Sequence, residues 1–169
     1  SMALQHEAGA GTGTTFQVER SYIVAQMSTG LLIVDQQLAH ERILYERYGK
    51  QLQTTQGASQ QCLFPTVLTL NPADFALVMD MLPELVSLGF LVDEFGKDTV
   101  VIRGVPAETQ VKNEKELFEG LIEQYKNFKN ELSLDKKENL ARSLAKRSCL
   151  KKGQKLDAQE METLVGQLF

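Results

Sequence analysis

The sequence predicts an α+β protein on three observations. Short apolar runs pair across turn signals at 22–34 and again at 90–106. Residues 62–106 read as a compact β-α-β-β unit, and three helical periodicities follow it to the C-terminus. A chain of 169 residues holds one domain with a substantial core or two small lobes. Its 43% hydrophobic and 24% charged residues are those of an ordinary globular protein. A net charge of -4 argues against a surface that binds nucleic acid all over, while leaving room for a local basic face. The longest apolar runs, such as Leu31–Val34, are far too short to cross a bilayer, and no signal-peptide pattern opens the chain, so a cytoplasmic protein is expected.

Residues 1–15, SMALQHEAGAGTGTT, are expected to be a tag remnant and flexible linker ahead of a domain cut from a longer protein. Tyr22–Ala25 and Leu31–Val34 flank MSTG, where Gly30 supplies the backbone freedom of a tight turn, and this predicts a β-hairpin. Leu31–Val34 is apolar without alternation, the pattern of a strand covered on both faces. From Gln36 the period becomes helical: Leu44, Tyr45, Tyr48 and Leu52 share one stripe, and Gln37 and Glu41 run onto it. Residues 57–61 read as a loop. Phe64–Leu70 reads as a strand, and Asn71-Pro72 as an N-cap with proline at the first helical position. Phe75, Val78, Met79 and Leu82 are expected on that helix's buried face, with Pro83 kinking or restarting it and Gly89 ending it. Asn113 and Glu116 have capping-box spacing ahead of Leu117, Leu121, Tyr125, Phe128 and Leu132. Asp135 opens a helix with Leu140, Leu144 and Ala145 along one side, running towards Gly153. Asp157 and Glu160 cap the last helix, with Met161, Leu164, Val165 and Leu168. No period of about 20–50 residues recurs, which excludes a repeat architecture.

Cys62 and Cys149 lie far apart with no CxxC or Cys/His spacing around them, so both are expected to be reduced and buried. With His6 and His40 they make no zinc pattern. The stretch IVDQQLAHERILYE, residues 33–46, raises a sharper question. Asp35 ends an apolar strand, and Glu41 and Glu46 sit on the helix that starts at once. Three carboxylates so placed either hold a metal ion or are the remainder of a site that did.

YIVAQMSTGLLIVDQQLAHERILYERY (22–48), SQQCLFP (59–65) and SLAKRSCLKKGQKLDAQEMETLVGQLF (143–169) together resemble the C-terminal dimerisation domain family of the MutL DNA mismatch repair proteins. The likeness runs from Phe16 to Phe169. It implies a dimerisation lobe built from 16–61 and 133–169, and an external regulatory lobe, 62–132, inserted between them. It also implies a homodimer joining two copies of an ATP-driven repair protein. No ATP-binding motif lies in this chain, so ATP binding is expected of an N-terminal region outside it.

Nuclease-competent members of the family carry a pattern like DQHAxxExxxxE, which here aligns with Asp35, Glu41 and Glu46 but places Gln37 at the histidine. A His and a Glu at i and i+4 grip one metal ion from one helix face, whereas the neutral amide of Gln37 is a weak ligand. His40 does not rescue the site, because three residues turn it about 60° away. The family's second ligand motif resembles Ala-Cys-Arg. Here it reads Ala145, Lys146 and Arg147, an ammonium where a thiolate would bind, with Cys149 three positions on as a possible substitute. A final Cys-Pro-His-Gly-Arg-like motif would follow Phe169. The expectation is a degenerate site with no cofactor, Asp35 ending the strand, Glu41 paired with a nearby Lys or Arg, and Glu46 solvated. The rival is a nicking endonuclease in which Asp35, Glu41 and Glu46 hold manganese or zinc through carboxylates and water.

Gln60, Leu63 and Pro65 follow the order QxxLxP, similar to the motif by which repair proteins of this family dock on the sliding clamp. The amide would pair with backbone groups while Leu63 and Phe64 fill an apolar pocket. The same residues also read as a loop entering a strand with Leu63 and Phe64 in the local core. Arg142, Lys146, Arg147, Lys151, Lys152 and Lys155 form a basic run with no acid before Asp157. It reads as a weak DNA contact or as a solvated face with cations near a helix C-terminus. The dimer contact is expected to be apolar, drawn from the hairpin (Tyr22, Leu31, Ile33) and the last helix (Met161, Leu164, Leu168). A mismatch-recognition protein is the further partner the resemblance implies, and no membrane.

Overall fold

The structure, a computed structural model, describes residues 14–109 and 112–169. The order of elements is β1 (Thr15–Val18), β2 (Tyr22–Met27), β3 (Gly30–Asp35), α1 (Gln36–Gln51), β4 (Ser59–Thr69), α2 (Pro72–Leu88), β5 (Leu91–Glu94), β6 (Thr99–Pro106), α3 (Glu114–Glu131), α4 (Lys136–Ser148) and α5 (Ala158–Leu168). This is the α+β class, with two small antiparallel sheets of order β1-β2-β3 and β4-β6-β5. Among the described residues no helix is long and apolar enough to cross a membrane.

The chain forms two compact units, one of residues up to Ala39 with Leu150–Phe169, the other of His40–Cys149. These bounds differ from the expected ones at 61/62 and 132/133. Two packing facts move them. The C-terminal part of α1 inserts Leu44, Tyr48 and Leu52 into the same core as the second sheet, and α3 packs along α4. A boundary drawn from sequence at the glycine-containing loop misses both, because a helix that changes units partway carries no composition signal.

In the first unit β2 and β3 pair from Tyr22↔Asp35 to Met27↔Gly30, which leaves Ser28 and Thr29 as a two-residue hairpin turn. β1 extends this sheet, with Thr15↔Ala25 and Val18↔Tyr22 in register. Thr15 thus belongs to a strand, which corrects the end of the expected linker; the rest of that expectation, and His6, lie on residues 1–13, outside the described residues. Leu31–Val34 is not covered on both faces, since Leu31 and Ile33 are exposed. At the other end of the unit, Asp157 and Glu160 make a complete capping box for α5, and α5 lies against β1.

In the second unit Asn71 caps α2 by accepting from the Asp74 N–H, and Gly89 closes it in the left-handed conformation. The helix runs through Pro83 as one element, without the expected restart. Its buried stripe is centred on Val78, Met81, Leu85 and Leu88, leaving Phe75, Met79 and Leu82 half-buried beside it. Asn113 accepts from the Glu116 N–H at the start of α3. The core joins these helices to β6 through Ile102, Phe90 and Phe118, the two rings meeting edge-to-face at 5.8 Å. Cys62 is half-buried and Cys149 buried, and neither is in a disulfide.

A latched strand-to-helix junction and an open apolar sheet face

Asp35 closes β3 and opens α1. Its Oδ1 accepts the backbone N–H groups of Gln37 and Leu38, both at 3.0 Å, satisfying two of the donors that a helix start leaves open. Its Oδ2 takes the ammonium of Lys152 at 3.0 Å. Partial burial pushes the Asp35 carboxyl upward. The Leu38 amide, the hydrogen bond and charge of Lys152, and the Gln37 amide outweigh burial and hold it below its ordinary value. The hydrogen bond to Asp35, then its charge, raise Lys152 in turn.

Three glutamines complete this junction. Gln36 has no exposed surface. Its Nε2 donates to the carbonyls of Lys151 and Gln154, each at 3.0 Å, and its Oε1 accepts from Gln17 Nε2 at 2.7 Å. Gln17 also donates to the Gln154 carbonyl and accepts from the Leu156 N–H. Gln37 Oε1 accepts the Lys152 N–H at 3.1 Å, and the Gly153 N–H donates to the Arg20 carbonyl at 2.7 Å. Residues 151–156, which have no regular secondary structure, are thereby fastened as a strap. Their backbone polar groups find side-chain partners where no ladder is available.

The register of the sheet sorts its side chains onto two faces. One carries Ile23, Ala25 and Val34, all buried. The other carries three cross-strand rows: Val18, Tyr22 and Asp35; Phe16, Val24 and Ile33; Gln26 and Leu31. On this second face Leu31 is 69% exposed, Ile33 67% and Phe16 51%, with Val18 and Tyr22 also exposed. A small three-stranded sheet has little apolar surface to bury, so leaving this much outside needs a reason.

The family model of the MutL C terminal dimerisation domain matches residues 15–156. The chain belongs to this family. It is similar to the DNA mismatch repair protein MutL of Chlorobium phaeovibrioides, with 39% identity over 91% of this chain and 25% of that protein. It is likewise similar to MutL of Chlorobaculum parvum, with 38% identity over the same shares, and of Chloroherpeton thalassium, with 38% identity over 91% of this chain and 24% of that protein. The chain spans about a quarter of the length of the curated relatives it matches.

In this MutL-type domain the residues singled out from sequence fall in both units. Asp35 and Gln37 lie in the first unit, and Glu41 and Glu46 in the second. Glu46 is exposed and pairs with Arg42 one helical turn away, at 2.9 Å. Glu41 is half-buried and has no ion-pair partner among the described residues, against the expected pairing with a Lys or Arg. His40 is half-buried. Among the described residues of either unit no three His, Cys, Asp or Glu side chains are placed to share a metal ion.

The basic run divides as well. Arg142 pairs with Glu138 and lies over the Tyr45 ring at 5.1 Å, Lys146 lies over Phe128, and Arg147 faces Glu123 at 3.7 Å. Lys151, Lys152 and Lys155 belong to the strap. Around Gln60, Leu63, Phe64 and Pro65 the β4–β6 register jumps between Gln61↔Gly104 and Thr66↔Ile102. The bulge holds Leu63 at 86% exposure and Phe64 at 77%, which corrects the reading of both as local core.

Of the expected dimer residues, Tyr22, Leu31 and Ile33 share the open face. Met161 and Leu164 are buried inside their own unit and Leu168 is half-buried, so helix α5 does not offer the stripe expected of it. Phe16, Val18, Gln17 and Gln36 were missed from sequence. The alternation in TFQV signals the two apolar residues. Nothing local signals a glutamine whose partners lie more than a hundred positions away.

Proposed function

We propose that this chain is the self-association and partner-docking module of a DNA mismatch repair protein, a cytoplasmic homodimer without a working nuclease centre or resident metal. The open apolar face of the first sheet carries the reading. Phe16, Val18, Tyr22, Leu31 and Ile33 project together from one side of it, and burying each large apolar side chain contributes about 1.5–3 kcal/mol. A second copy is the occupant that membership of a dimerisation family supports. The expected outcome for Ile33→Asp is a monomer at concentrations where the unaltered chain is dimeric, with unchanged circular dichroism, read by multi-angle light scattering. A monomeric unaltered chain would defeat the reading.

Docking on the sliding clamp is supported by the exposed bulge, where Leu63 and Phe64 are free to enter a partner's apolar pocket. Loss of nuclease function is supported by the occupation of Asp35 by two amides and Lys152, and by the engagement of Gln37 with the Lys152 N–H. Nicking of supercoiled plasmid with manganese, abolished by Glu41→Ala, would restore the endonuclease reading. DNA contact through the basic run is a weaker part of the proposal, because Arg142, Arg147 and Lys152 already face carboxylates. ATP binding and contact with a mismatch-recognition protein are assigned to the full-length protein of which such a domain is part.

A further inference from the structure

We infer that Lys152 makes self-association conditional on the strap: by neutralising Asp35, the one carboxylate among the described residues of the open sheet face, it lets that face be buried against a second copy. The inference rests on the dimer reading above and goes beyond it by naming what regulates the contact. Asp35 stands in the end row of the face, in register beside Tyr22, which is in register with Val18. Every other side chain in the three rows is uncharged at neutral pH. Lys152 comes to this row from the strap, with Nζ 3.0 Å from Asp35 Oδ2 and 5.6 Å from the centre of the Tyr22 ring. The ammonium therefore touches both the carboxylate and the aromatic ring that border the apolar patch.

A lone carboxylate carried into an apolar contact loses its water without compensation, while a paired and hydrogen-bonded one loses far less. Asp35 cannot turn away, because its other oxygen holds the Gln37 and Leu38 amides in the first turn of α1. Lys152 is half exposed on a long flexible side chain, so left alone it can extend into water. The two partners are thus unequal. Removing the lysine strands a fixed charge on the face, and removing the carboxylate charge strands nothing.

Sedimentation velocity over a concentration series tests this with Lys152→Met, Asp35→Asn and the double variant, the asparagine keeping the helix cap. Lys152→Met is expected to weaken the dimer by about thirtyfold or more, as when one partner of a buried charge pair is removed. Asp35→Asn and Asp35→Asn/Lys152→Met are both expected to dimerise within about threefold of the unaltered chain, a gap well under 1.4 kcal/mol. Urea unfolding of each variant separates a weakened dimer from an unfolded chain. Lys152→Met dimerising as the unaltered chain does, or a double variant no better than Lys152→Met, would overturn the inference while leaving the dimer reading standing. A monomeric unaltered chain would remove both.

Discussion

Gln36 sits at the first position of α1, has no exposed surface, and satisfies two strap carbonyls and one neighbouring amide. Replacing it with alanine removes three hydrogen bonds at once, each contributing about 0.5–1.5 kcal/mol. Gln36→Ala is therefore expected to lower the stability of the chain by about 2–3 kcal/mol in urea unfolding, more than its small change in apolar area would suggest. The neighbouring ion pair answers to pH with two signs. The folded-state pKa of Asp35 is depressed below 3.8, so its contribution is present at neutral pH and lost as pH falls through the lowered value. That of Lys152 is raised above 10.5, so its contribution persists below 10.5 and is lost only as pH rises through the raised value. Asp35→Asn should flatten the acid limb of stability against pH, and an acid limb like that of the unaltered chain would count against the pairing. The acid at 35 and the glutamine at 37 are legible as functional positions in the sequence. What they touch is not, because Lys152 approaches from the far end of the chain.

At the scale of elements, local chemistry decides the helix ends. Asn71, Asn113, Asp135 and Asp157 all act as N-caps, each accepting from the amide three residues on. Gly89 carries a heavier demand than a C-cap alone. Its φ is 102°, and a Cβ there would lie 2.3 Å from the Ala58 carbonyl oxygen. Gly89→Ala is expected to cost about 2 kcal/mol or more, against about 1 kcal/mol for Gly96→Ala, where φ is 75° and the surroundings are open. Equal losses in thermal or urea unfolding would show that the close approach at Ala58 is unimportant. Propensity misleads elsewhere. Residues 59–61 look like a loop and pair as strand because β6 offers Gly104, Val105 and Pro106 as partners, and α2 runs through Pro83 because a helix packed along one face survives the loss of one hydrogen bond.

At the scale of the molecule, the two proposed contacts fall on separate units. The apolar face belongs to the first, and the bulge at Leu63 and Phe64 to the second. Changes at sites without shared partners add independently. Leu63→Ala with Phe64→Ala should abolish binding to the sliding clamp in surface plasmon resonance while leaving the dimer intact in light scattering, and Ile33→Asp should do the reverse for dimer formation. A clamp variant that also dissociated the dimer would show that the two contacts share a surface.

The sequence by itself determined the α+β class, the helix caps, the hairpin at 22–34 and the family, because each depends on residues close together in the chain or on motifs preserved in order. Tertiary structure alone decided the unit boundaries, the burial of Met161 and Leu164, the exposure of the clamp-like bulge, and the strap that ties Lys152 to Asp35. Those outcomes turn on which distant surfaces meet. A burial pattern read along one segment specifies that a side chain needs cover, and only the folded chain specifies what provides it.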